Sequence, residues 1–184
     1  MKFVCSALLL SACLASAFAQ AQTSSPPPAA PVKDPVTASL KILLPRSQKN
    51  TIGAIDAMPA DKFNYKPTAD QMTFAHLVVH IIGFNNAVCA KAADVAAPKV
   101  EEAKETDSKD KLLAAATASY DFCAEALSKM DDSKLGDSIE LFGRQGPRAL
   151  ADLILVSGSA DHYADAAMYL RLNGILPPSA QPKK

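Results

Sequence analysis

Apolar residues in this chain recur every three or four positions in four separate stretches, the period of amphipathic helices. The cleanest register is Leu113, Ala116, Tyr120, Cys123, Leu127 and Met130, spaced 3, 4, 3, 4, 3. A stripe of that kind buries one helix face. Phe74, Leu77, Ile81, Phe84 and Val88 repeat at 3, 4, 3, 4 and predict another helix ending near Ala93. A helix over residues 36–58 carries Leu40, Ile42, Leu43, Leu44, Ile52, Ile55 and Met58. Pro45 inside it predicts a kink or a late start, because proline cannot donate the helical bond. The last helix runs through Leu150, Ile154, Tyr163, Met168 and Leu170. No convincing two-residue alternation interrupts the series, so the expected fold is all-α: a four-helix bundle over residues 36–178, with a short tail at 179–184.

Polar residues mark the edges of these helices. Thr68 and Gln71 form a capping-box pattern ahead of the second helix, after a turn-rich connector over residues 59–67. Ser108 is a fair N-cap for the third helix, with Asp110 in its favourable first turn, and a charged stretch over residues 98–107 precedes it. Residues 131–146 read as a loop, and Pro147 suits the first position of the fourth helix. Gly174 supplies a left-handed stop, with Pro177 and Pro178 beyond.

The N-terminus changes the picture from a bundle to an exported bundle. Residues 1–19 give one positive charge, an apolar core at Ala7-Leu8-Leu9-Leu10 and small residues at Ala17-Phe18-Ala19, the order of a cleavable secretory signal with Gln20 first in the mature chain. The apolar run is too short to remain as a membrane span of roughly 20 residues. Leu10-Ser11-Ala12-Cys13 is the competing pattern, that of a lipoprotein anchored at Cys13. Residues 20–35 form a Pro/Ala/Ser-rich flexible arm. The expected address is periplasmic or secreted. The whole chain balances 19 basic against 19 acidic groups, and losing the signal removes Lys2 and no acid. No basic field exists to recruit nucleic acid or an anionic membrane.

Cys5 and Cys13 leave with the signal, while Cys89 and Cys123 persist into an oxidising compartment. They form either a single disulfide or two small buried hydrophobes that never meet. Neither carries a local motif of an activated thiolate. There is no glycine-rich phosphate loop, so a P-loop or dinucleotide-binding reading fails.

The histidines are the candidate chemistry. His76 and His80 are four apart and share a helix face, and His162 stands in the last helix between Asp161 and Tyr163. Imidazoles pointing inward from facing helices suit Zn, Ni, Cu or Fe(II). Three ligands with an open position would leave room for a reactive water. Such a pair also arises without any metal. Tyr163, Tyr169 and Arg171 either line a pocket mouth or serve packing and the helix dipole.

Four segments are similar to the DinB-like family, which includes bacillithiol and mycothiol S-transferases: MPADKFNYKPT from Met58, FAHLVVHI from Phe74, DHY from Asp161 and YLRLNGILPP from Tyr169. The resemblance implies a four-helix bundle with a three-histidine centre, one ligand from the second helix and an H-x-x-x-H pair from the last. His80 matches the first ligand and His162 the end of the pair. Gly158 falls where the pair begins, and His76 is the available substitute from the neighbouring turn. Asp161 and Tyr163 would then orient ligands or donate a proton. The family's thiol transferases use cytoplasmic thiols, from which an exported chain is separated. The expected function is a binding or accessory protein with a degenerate metal site. The alternative is a metal-dependent hydrolase or transferase holding divalent Zn, Ni or Fe. A small molecule and a second copy of the chain are the expected partners.

Overall fold

The computed structural model describes residues 30–182, so the signal, the Cys13 pattern and most of the arm lie outside the described residues. Four helices carry the fold: α1 (Pro35–Ala57), α2 (Phe74–Ala93), α3 (Lys109–Ser128) and α4 (Ala149–Leu172). α1 and α2 each pack against both α3 and α4, so the order around the bundle is α1, α3, α2, α4. The expected all-α bundle is therefore present, with one small addition described below. Among the described residues, no helix is long and apolar enough to cross a membrane.

The core follows the predicted stripes. Phe74, Leu77, Ile81 and Val88 of α2 and Ala116, Tyr120, Cys123 and Leu127 of α3 are all buried in one apolar cluster where the two helices pack. The α3 stripe begins one residue earlier than its spacing suggested: Leu112 is buried, Leu113 only half-buried, and Met130 lies beyond the helix end. Cys89 and Cys123 form a disulfide joining α2 to α3, with Cα atoms 5.2 Å apart.

α1 starts at Pro35 and continues through Pro45, so the late start does not occur. Pro45 is exposed. Asp34 occupies the N-cap in a left-handed conformation without a side-chain cap of its own. The free amides of Val36 and Thr37 instead donate to the two carboxylate oxygens of Asp132, each at 2.9 Å, and the Asp132 amide donates back to Asp34 Oδ1. A carboxylate at this position also meets the positive end of the helix dipole.

α2 starts later than the capping-box pattern predicted. Its N-cap is Thr73, whose hydroxyl accepts the His76 amide. The amides of Phe74 and Ala75 donate back to the Tyr65 and Phe63 carbonyls of the connector, which binds the helix start to that turn. Thr68 and Gln71 bond each other instead, hydroxyl to side-chain carbonyl and Gln71 amide to Thr68 carbonyl. Ser108 caps α3 as expected, accepting the Lys111 amide.

Residues 131–146 are not wholly a loop. β1 (Ser138–Leu141) pairs antiparallel with β2 (Arg144–Pro147) around Phe142-Gly143, both at positive φ as a two-residue hairpin turn requires. Pro147 therefore ends a strand rather than starting α4. Arg148 follows it, buried at 6% exposure, and its guanidinium donates to the Lys91 carbonyl while pairing with Asp94 and Asp137. That single side chain fixes the hairpin to the end of α2. Beyond α4, Gly174 takes the expected left-handed stop. The segment predicted as a tail begins with a 3-10 turn, Pro178–Ala180, and the Ser179 amide donates to the Tyr163 hydroxyl at 2.8 Å.

Candidate functional site

α2 and α4 are neighbours, and their contact brings two of the three histidines together. The rings of His80 and His162 stand edge to face with centroids 4.9 Å apart. His162 also meets Phe84 edge to face at 4.7 Å. Burial, reinforced by His80, pushes the His162 imidazole down to about 4, so it is neutral across ordinary pH.

The third histidine is occupied elsewhere. His76 Nδ1 lies 2.7 Å from Glu105 Oε1, and Glu105 Oε2 accepts the Thr73 hydroxyl. The hydrogen bond from His76, followed by that from Thr73, holds the Glu105 carboxyl below its usual range. His76 thus ties the start of α2 to the charged stretch ahead of α3, on an exposed part of the surface.

Phe84 stands on the His162 side of the pair. A β-carbon built on Gly158 would fall 2.8 Å from Phe84 Cε2 and closer still to Cζ, nearer than real β-carbons approach. Gly158 thereby makes room for the phenyl ring, and the ring stands where a side chain at position 158 would project. Among the described residues, no three His, Cys, Asp or Glu side chains are grouped to hold an ion. The residues present do not fit a three-histidine centre.

The other candidates also have structural partners. Asp161 is exposed on α4. Tyr163 is half-buried, its hydroxyl accepts the Ser179 amide, and it lines the α1–α4 cleft. Tyr169 is buried: its hydroxyl donates to the Met72 carbonyl at 2.6 Å, its ring packs on Phe74 and Tyr65, and it also lines a small pocket with Met72 and Asp165. Arg171 is exposed. The spacing of apolar residues placed Phe84 in the core stripe and gave no sign that it shares space with Gly158. Glu105, in a stretch that shows no periodicity, was not anticipated as the partner of His76.

The family model of the DinB superfamily matches residues 43–159, more than half of the chain. The chain belongs to the DinB superfamily. The match includes His76, His80, Phe84 and Gly158 and stops short of His162. Two crystal structures share the fold of this DinB-superfamily chain. A DinB-like protein of Bacillus cereus superposes with a TM-score of 0.64 at 16% identity, covering 77% of this chain and 95% of its own. A DinB-like protein of Bacillus subtilis gives 0.63 at 17%, covering 79% and 99%. No curated protein matches the chain in sequence.

Proposed function

We propose that this DinB-superfamily chain is an exported binding or accessory protein whose metal centre is degenerate. The observation that carries the reading is Phe84: its ring fills the space beside His162 into which a side chain at position 158 would have to project. Two features support it further. His76, the available substitute ligand, is bonded to Glu105, and among the described residues no cysteine is left as a free thiol nucleophile, since Cys89 and Cys123 are joined. Residues 1–19 support export, and a disulfide suits an oxidising compartment.

The competing reading, a metal-dependent hydrolase or transferase, has the His80–His162 pair in its favour. Metal analysis decides between them. The purified exported chain, incubated with Zn, Ni or Fe(II) and then freed of unbound ions, is expected to retain far less than one ion per chain. A near-stoichiometric ion that is lost in His162→Ala would overturn the degenerate-site reading.

A further inference from the structure

The cleft between α1 and α4 lies apart from the histidine pair and has its own polarity. Leu40, Leu43 and Leu44 of α1 face Leu155 and Val156 of α4 across a cavity of about 330 Å³. Arg46 also lines it, exposed, and no carboxylate among the described residues pairs with it. Ser159 lines the same cavity at 3% exposure, and its hydroxyl has no hydrogen-bond partner among the described residues. In most proteins a buried hydroxyl is satisfied.

The cleft continues into a wider trough of about 850 Å³, which shares Leu40, Leu43 and Val156 and extends to Pro35 and Val36. Its walls are mainly apolar, and the acid Asp152 is among them. A basic group and an unsatisfied hydroxyl in the cleft, an acid in the trough and leucines shared between them describe a site with a direction.

We propose that the α1–α4 cleft binds a single-chain anionic amphiphile, with its carboxylate at Arg46 and Ser159 and its acyl tail along Leu40, Leu43 and Val156 toward Val36. Arg46 attracts the head and Asp152 disfavours it in the trough, so the ligand enters in one orientation. From Val36 to Arg46 the helix rises about 15 Å, which matches a saturated tail of roughly a dozen carbons. The alternative occupant of an apolar helix face is a second copy of the chain, but a partner helix would leave the recessed Ser159 hydroxyl unsatisfied. This inference gives the binding-protein reading a ligand class, and it rests on different residues from the metal argument.

The test is titration of the purified, delipidated exported chain with dodecanoate below its micellar concentration, followed by calorimetry. Saturable binding of one dodecanoate per chain is expected, at least tenfold tighter than that of dodecyltrimethylammonium. Arg46→Glu, at an exposed position, should weaken dodecanoate at least tenfold with unchanged helicity and melting temperature. Val156→Trp should block the cleft and reduce binding of both amphiphiles. Absence of saturable dodecanoate binding, or an affinity indifferent to Arg46→Glu, overturns the proposal. So does sedimentation showing a dimer that Val156→Glu dissociates while dodecanoate fails to bind, which assigns the face to a second copy. None of these results depends on the metal content, so the two readings fail separately.

Discussion

Asp152 sits on α4 at 1% exposure, and neither of its carboxylate oxygens has a hydrogen-bond partner among the described residues. Burial, followed by the charge of Asp132, raises its pKa from 3.8 to about 6 against the opposing pull of Arg148. An acid with a raised pKa holds its proton more tightly in the folded chain than in the unfolded one. Its contribution to stability is therefore largest below about pH 4, falls as pH rises to about 6, and is constant above. A difference of about two pKa units at about 1.4 kcal/mol each puts the loss near 3 kcal/mol. Asp152→Asn removes the titration while keeping the shape. Urea unfolding of both proteins at 25 °C, from pH 4 to pH 8, reads the effect as a gap that changes with pH. The variant should gain on the wild type by up to about 3 kcal/mol between pH 4 and pH 7. A constant offset arising from the unpaired amide leaves that slope untouched. A gap that stays level across the range, or that moves in favour of the wild type as pH rises, would refute the assignment of a destabilising buried charge.

Two further predictions concern the disulfide and the closed site. Reduction of Cys89–Cys123, which spans 34 residues, should lower unfolding stability by about 3–4 kcal/mol; alkylation without reductant should leave the mass unchanged, and two free thiols before reduction would disprove the bridge. Gly158→His alone should cost about 1–3 kcal/mol through overpacking against Phe84, with no gain in zinc, whereas Gly158→His with Phe84→Ala should recover stability and take up zinc by calorimetry. Zinc uptake by the single variant at unchanged stability would mean that Phe84 does not occupy the position.

The helices were legible because each buries a single face, and a period of three to four survives in the sequence wherever that is so. Ser108 and Gly174 were legible for the same reason that they function: their bonds and backbone angles are local. Thr73 was not, because the start of α2 is set by carbonyls of the connector that meet Phe74 and Ala75 only in the folded chain. The hairpin escaped notice because its strands are four residues long and its turn opens with Phe142 rather than a residue that favours positive φ. At the candidate site, helix spacing placed His76 and His80 on one face. It carried no information about Glu105, 29 residues further along, which occupies one of them. Phe84 shows the limit most clearly: its position in the stripe is a property of one helix, while its contact with Gly158 belongs to two.

The clasp between Asp132 and the start of α1 joins residues 95 positions apart, and α1 packs on α3 and α4 rather than on the helix that follows it. For a chain that emerges N-terminus first, α1 has neither its cap nor its neighbours until the turn after α3 has emerged. Folding is thereby deferred by topology. The first helix to appear waits without its partners, and the bundle closes only when most of the chain has arrived.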